Sequence, residues 1–228
     1  MPKSQGRTSR FILEIFSIFL GVTIAFLANH WNEQRKERIL EEKILQGIYD
    51  ELEADMRDIE NNIRGHELCI NAIHQWTRFI EHQPVDFDSL GLNFSRLYRD
   101  YISVANTSAY ETLKSRGLEV VSNDELRSRI VALYDFNYEL TQKLEEVYYP
   151  GQFHKNYFEK ITSHFKEYLI VENNQIKVRK SYTGAPDTEI MLILKEILDW
   201  RLFTIRYYKE NLETIHQLRK DIKSELGT

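Results

Sequence analysis

The sequence is poor in cysteine, proline and glycine, with one Cys, four Pro and nine Gly in 228 residues. A single thiol, Cys69, excludes an internal disulfide framework and any zinc site built from cysteines alone. So little Gly and Pro, beside 12% aromatic residues, excludes collagen-like, linker-like and wholly disordered chains. A basic excess is also missing. With residues 1–32 set aside, 27 basic and 34 acidic side chains remain, a net charge of −7. A domain of that sign lacks the footprint for a phosphate backbone, so nucleic acid is not an expected partner. No G-x-S-x-G elbow, G-x-x-x-x-G-K-[ST] loop or G-x-G-x-x-G fingerprint occurs, nor does a low-complexity tract or a repeat of roughly 20–50 residues. The length suffices to bury a sizeable core as one domain.

What is present starts with an apolar run. Phe11 to Ala28 is 18 residues long with one ionisable group, Glu14. As a helix it measures about 27 Å, close to the hydrocarbon thickness of a bilayer. Lys3, Arg7 and Arg10 precede it, and Asn29, His30, Trp31 and Asn32 follow as a polar and aromatic boundary. A cleavage site after Ala28 would place Phe26 at −3, which disfavours a signal peptide. The expected organisation is a short basic tail (1–10), a transmembrane helix (11–31) and a helical bundle domain (32–228). Arg10, Glu14 and Trp31 are the interfacial anchors, Glu14 pairing with Arg10 or snorkelling. Ser17, Gly21 and Ala25, spaced by four, form a small-residue face for association of membrane helices. The basic count is nearly balanced across the run, because Arg35, Lys36, Arg38 and Lys43 follow it. A short tail usually stays inside while a long domain crosses, so the bundle is expected outside the cytoplasm.

The stretch Glu14-Ile15 … Gly21 … Ile24-Ala25 … Asn29-His30-Trp31-Asn32-Glu33-Gln34-Arg35-Lys36 carries the pattern E-I-x5-G-x2-I-A-x3-N-x-W-N-E-x-R-K. It resembles the anchor of a family of uncharacterised bacterial single-pass membrane proteins. Tyr110 to Leu118 and Asn123 to Arg127 are similar to that family's central motif, where members often carry a second serine in place of Arg116. The family's tail is typically more basic. The resemblance therefore implies a bacterial inner-membrane protein with its N-terminus inside and its C-terminal domain in the periplasm. It implies no chemistry.

Beyond the anchor the fold class reads as all-α. Leu45, Tyr49, Leu52, Met56, Ile59, Ile63, His66, Ile70, Ile73, Thr77 and Ile80 recur at steps of four and three, a heptad seam on one long helix ending before Pro84. Gly47 and Gly65 weaken that helix by about 1 kcal/mol each relative to Ala. Glu51, Glu53, Asp55, Asp58 and Glu60 are expected on its outer, solvated face. An amphipathic stretch follows over 90–102. The spacings Ser108-x-x-Glu111 and Ser122-x-x-Glu125 predict two capping boxes, with Gly117 ending the first helix between them. The second helix carries Leu126, Ile130, Leu133, Leu140 and Leu144. Pro150 opens a helix to about Ile170, and Gln175 to Lys180 alternates like a hairpin arm after Asn173-Asn174. Gly184 to Asp187 caps a last helix lined by Ile190, Leu194, Ile197, Ile205, Tyr208, Leu212, Ile215 and Ile222. The simplest packing is an antiparallel bundle continuing from the transmembrane helix. A coiled-coil dimer is the alternative use of the seam.

Catalytic chemistry is thin. His66-x-x-Cys69 is half of a metal site without a second half, and Glu213-x-x-His216 is half of a di-iron motif without its partner. No metal or cofactor is expected, and no catalytic residue is assigned. Cys69 reads as a packing residue, His66 as a hydrogen-bonded core residue, and Glu41-Glu42 and Glu145-Glu146 as solvated charge. An aromatic band, Tyr134, Phe136, Tyr138, Tyr148, Tyr149, Phe153, Tyr157, Phe158, Phe165 and Tyr168, reads as core or as an interface, as do Trp200 and Arg201. The expected function is a membrane-anchored interaction, scaffold or sensor module rather than an enzyme. Its partners are the lipid bilayer, a protein, and a second copy through the anchor and the first long helix. Two rivals stand: an oligomeric effector that perturbs the membrane with its bundle in the cytoplasm, and an enzyme with an unrecognised helical site.

Overall fold

The computed structural model describes Gln5–Gly227, with side chains from Glu14 onward except Ile15. Helix α1, Gln5–Ile80, runs 76 residues without a break. Nearly every side chain from Phe16 to Ile39 is exposed, and burial begins at Leu40. Among the described residues no helix carries an apolar window long enough to cross a membrane. The expected span Phe11–Ala28 begins at Phe11, Ile12, Leu13 and Ile15, whose side chains lie outside the described residues. The remaining stretch from Phe16 to Ala28 measures only about 20 Å at helical rise.

After α1 the chain reverses at His82, which has φ 61°, and Pro84 prevents the helix from resuming. Helix α2, Phe87–Leu92, is capped by the Asp86 carboxylate. A 3₁₀ turn, Phe94–Leu97, follows, so the expected amphipathic stretch 90–102 is helical only as far as Leu97. The chain then runs without regular secondary structure to Thr107. Helix α3, Ser108–Arg116, ends at Gly117, whose φ of 105° suits only glycine. Helix α4, Asp124–Ala132, continues through a π-helical turn over Leu133–Tyr138, a short α5 over Glu139–Gln142, and a second π turn over Lys143–Val147. Both expected capping boxes are corrected. The cap of α3 is Thr107, with no side-chain bond, and the cap of α4 is Asn123, which accepts from Glu125 N and Leu126 N.

Pro150 sits in a 3₁₀ turn before α6, Phe153–Phe165. Strands β1 (Leu169–Glu172) and β2 (Gln175–Val178) pair antiparallel with Leu169 opposite Val178. Asn173 and Asn174 turn between them at φ 50° and 60°, the left-handed pair that a two-residue hairpin requires. Helix α7, Thr188–Leu226, starts on the Asp187 cap, as expected, and ends at Gly227 with φ 72°.

The bundle is antiparallel. Helices α1 and α7 share the largest contact, with Ile44–Ile63 meeting Ile205–Ile222 at one end and Ala72–Ile80 meeting Ile190–Ile197 at the other. The seam of α1 is thus occupied by α7 of the same chain, with Tyr49, Ile70 and Thr77 only half-buried. Ile44, Ile48, Cys69, Ala72, Trp76 and Phe79 are buried as well. The apolar stripe is wider than a heptad seam because α2, α3 and the Phe94–Leu97 turn also pack on α1.

Two apolar cores result. The near core, on the side of the apolar run, joins α1 and α7 to α3, α4 and the first π turn. The far core joins them to α2, α6 and the hairpin around Trp76, whose ring lies 4.4 Å from Phe165 between centroids. The hairpin is seated through Gly91. A Cβ there would lie 2.4 Å from the Ile176 carbonyl oxygen and 2.9 Å from Lys177 Cα. Gly91→Ala is therefore expected to lower the unfolding free energy by about 1–3 kcal/mol. A denaturant titration with an unchanged midpoint and slope would refute that close approach.

Candidate functional site

Backbone that docks on a helix with no strand beside it must find its hydrogen bonds elsewhere. Segment 99–107, half-buried at Tyr101, Ser103 and Ala105 and exposed elsewhere, lies along α1 in the opposite direction and belongs to no sheet among the described residues. Its acceptors are carboxylates. Just past its end, Glu51 accepts Ala109 N of α3 at 3.0 and 3.1 Å. Asp55 accepts Asn106 N at 2.8 Å and Asn106 Nδ2 at 2.7 Å. Asp58 accepts Val104 N and the Ser103 hydroxyl, each at 3.0 Å. Glu145, from the second π turn, accepts Ser103 N at 3.0 Å and also Tyr208 Oη. Glu51, Asp55 and Asp58 share one stripe of α1 because steps of four and three keep them on one face.

This ladder overturns the solvated outer face expected for α1. Asp55 is 2% exposed, Glu51 and Asp58 are half-buried, and of the five acids only Glu60 is exposed. Glu53 pairs with Arg219 of α7. Glu51 does for α3 what its own Ser108 and Glu111 do not, accepting from an otherwise orphaned N–H of the first turn. Glu41 likewise holds Ser122 N at 2.7 Å and its hydroxyl at 2.9 Å. Of the adjacent pair expected in solvent, Glu146 is exposed and Glu145 is not.

Burial sets the protonation of the ladder. It pushes the Asp55 carboxyl above the usual carboxylate range, against the lowering effect of donors from Tyr138 and Asn106. It raises Glu51 in the same way. Glu145 is pushed up to about 7, first by burial and then, after the opposing Tyr208 and Ser103 bonds, by the nearby charges of Asp58 and Glu146.

Between the two apolar cores lies a polar layer. Arg201 of α7 is 0% exposed. It donates to His66 Nδ1 at 3.2 Å and to the carbonyl oxygens of Arg99 and Arg96 at 2.9 and 3.4 Å. Its guanidinium lies 4.1 Å from the Phe153 ring centroid. Among the described residues no carboxylate pairs with it; carbonyl dipoles and a ring face hold this cation. Asn211 continues the layer, donating to Thr141 Oγ1 at 3.1 Å, while Thr141 donates to the Asn137 carbonyl at 2.7 Å. That carbonyl lies in the first π turn, and the Thr141 hydroxyl reaches it four residues back along the helix.

His66 is 2% exposed, and burial together with the Arg201 charge lowers its pKa to about 3. A guanidinium only donates, so Nδ1 is the acceptor and the ring proton resides on Nε2. Among the described residues that Nε2–H has no partner. His66 lines a cavity of about 20 Å³ with Tyr101, Thr141, Glu145, Trp200 and Tyr208, room for about one water. Gly65 makes the layer possible, because a Cβ there would fall 2.3 Å from the Tyr101 ring. The residue that costs helix propensity admits the aromatic cover of His66.

The remaining expected residues fall elsewhere. Ser17, Gly21 and Ala25 lie on the exposed part of α1; the Ser17 hydroxyl bonds its own helix at Glu14 O, and nothing comes within 4 Å of a Cβ built on Gly21. Trp31 is 66% exposed and Glu14 is exposed, while the Arg10 side chain lies outside the described residues. Cys69 is buried, and burial pushes its thiol up, away from the reactive thiolate. Glu213 and His216 are both exposed on α7. No cluster of three metal-ligating side chains occurs among the described residues. The aromatic band splits. Tyr134, Phe153, Tyr157, Phe165 and Tyr168 are core, whereas Phe136, Tyr148, Tyr149 and Phe158 are exposed. No family model, curated protein or solved structure matches the chain.

Two outcomes follow from this geometry. Asp55→Ala, which orphans Asn106 N–H and Tyr138 O–H, is expected to lower stability by about 2–4 kcal/mol. Glu60→Ala should stay within about 0.5 kcal/mol. Equal effects in paired denaturant titrations would return Asp55 to the solvated face. His66, depressed in the fold, favours the folded state above its ordinary value of 6.5, and that contribution fades as pH falls toward about 3. Imidazole ¹⁵N shifts should therefore report the neutral Nε2–H tautomer at pH 5. A midpoint near 6.5 would contradict the buried arrangement.

Proposed function

We propose that the chain is a membrane-anchored helical interaction module, a scaffold or sensor without catalytic chemistry of its own. The observation that supports this most is the exposed stretch of α1. Phe16, Ile18, Phe19, Val22, Ile24, Phe26 and Leu27 are each 58–72% exposed, on a helix that is apolar around its circumference. Such a surface calls for lipid or for a partner's apolar face. Added to Phe11–Leu13 and Ile15, it makes the 18-residue run that matches bilayer thickness. Trp31 then sits at the interface, and the polar turns from Asn32 to Arg38 form a stalk below the bundle. The resemblance of the Glu14–Lys36 pattern to a bacterial single-pass anchor supports the same reading, with the bundle in the periplasm.

Because α1 is continuous from the apolar run to Ile80, a shift or a change of oligomeric state at one end is passed mechanically to the other. The open face at Gly21 favours self-association through Ser17, Gly21 and Ala25. It also keeps a second reading in play, in which the anchor oligomerises to perturb the bilayer. Gly21→Leu should weaken any dimer crosslinked through the anchor, and toxicity lost in that variant would favour the second reading.

The membrane reading is tested with the full chain. The unchanged protein should resist alkaline extraction from membranes and float with lipid vesicles. Leu20→Lys with Ile24→Lys costs about 2.5–3.5 kcal/mol of insertion per lysine, so this variant should move to the soluble fraction with its helical circular dichroism retained. Identical partitioning of the two chains would sink the proposal. Protease added to intact spheroplasts and to inverted vesicles then reports the side on which residues 33–228 lie.

A further inference from the structure

Glu145 is the carboxyl of the ladder that ties the second π turn to both segment 99–107 and α7. It accepts Ser103 N of the segment at 3.0 Å, and it accepts the Tyr208 hydroxyl of α7. Asp58 of α1 grips the same serine from its other side through the hydroxyl, at 3.0 Å. Two carboxylates therefore converge on Ser103 from different elements. The groups facing Glu145 are Asp58 and the neutral His66 from α1, Tyr208 and Tyr207 from α7, Tyr101 from the segment, and Glu146 on its own turn. None is a lysine or arginine, and no ion pair holds Glu145 among the described residues. The π turn ends two residues after it, at Val147, where Tyr148 N reaches back to Lys143 O at 2.8 Å and the backbone becomes extended.

We propose that Glu145 is the proton-binding site of a latch between segment 99–107 and α7, closed when the carboxyl is protonated and loosened when it ionises. The physical reason is the lack of compensation. An ionised Glu145 would sit half-buried, beside Asp58 and Glu146, with two hydrogen bonds and no cation. Neutral Glu145 removes the repulsion across Ser103 and keeps Ser103 N–H on its carbonyl oxygen, while its protonated oxygen donates to Tyr208 Oη, reversing that bond. Released from the fold the group returns to ordinary carboxylate behaviour, so closure and proton binding favour each other. The sign follows. The carboxyl is raised from 4.5 to about 7 in the closed bundle, so its contribution is complete below about 4.5 and is lost as pH rises through about 7. The latch lies within the bundle and does not depend on the membrane reading; if that reading holds, the signal sensed is acidity on the bundle's side.

The test is hydrogen exchange of the full chain in detergent micelles, following the peptide that contains Ser103 and Val104 from pH 6 to 8.5. Rates are corrected for the intrinsic pH dependence of exchange. A carboxyl shifting from 4.5 to about 7 on closure should reduce protection about tenfold over that range. In Glu145→Gln, protection should change less than about twofold. Equal pH dependence in the two proteins, or none in the unchanged one, would overturn the latch. Should the variant fold poorly, the Glu145 carboxyl ¹³C shift in the unchanged protein decides. A midpoint near 7 supports the proposal, and one below 5.5 overturns it. Membrane partitioning plays no part in this readout, so its failure is distinct from failure of the anchoring reading.

Discussion

A stretch of irregular backbone docked along a helix, with no strand to pair with, is the constraint around which this bundle is organised. The segment from Arg99 to Thr107 lies along α1, and its N–H groups bond carboxylates of Asp55, Asp58 and Glu145. A charged acceptor gives a stronger hydrogen bond than a neutral one. It also brings the cost of removing that charge from water, visible in the raised proton affinities of Asp55 and Glu145. The bundle thus holds part of its tertiary structure through groups that prefer solvent, and their protonation is tied to whether the segment is docked.

The same segment closes the polar layer. Its entry supplies the Arg99 carbonyl to the buried Arg201, and Tyr101 covers His66 above Gly65. On either side the packing is apolar and dense, with Trp76 and Phe165 in the far core and the stacked Tyr110 and Tyr134 rings, 4.4 Å apart, in the near one. The layer contributes less to stability than an apolar equivalent might suggest, because buried charge is offset by desolvation. It does fix register, since Arg201 meets His66 and the carbonyls of Arg96 and Arg99 at one alignment of α1 and α7 only.

Much of the fold is legible in the residues. Steps of three and four from Leu45 to Ile80 and from Ile190 to Ile222 mark the two long helices. Pro84, Gly117, Asn173-Asn174 and Asp187 mark where the chain turns or starts again. The site is far less legible. The stripe Glu51, Asp55, Asp58 reads as a solvated face because acids usually occupy one, and nothing in the spacing says that an irregular segment lies over them. The stretch 99–107 gives no signal either: to Ile102 it reads as the end of an amphipathic stretch, and Ser103, Asn106 and Thr107 beyond it read as an ordinary loop. The capping boxes at Ser108 and Ser122 mislead for a related reason: Glu51 and Glu41, from a helix far away in sequence, take the bonds that local side chains were expected to make.

The sequence by itself determined the all-α class, the long helices, the turns and the apolar run, because periodicity and backbone stereochemistry act over a few neighbouring residues. Only the tertiary structure decided which acids are buried, where Arg201 finds its acceptors, and that the seam of α1 is filled by α7 of the same chain. Those outcomes depend on desolvation and on hydrogen-bond partners from 42 to 135 residues away along the chain. Neither quantity is a property of any local window.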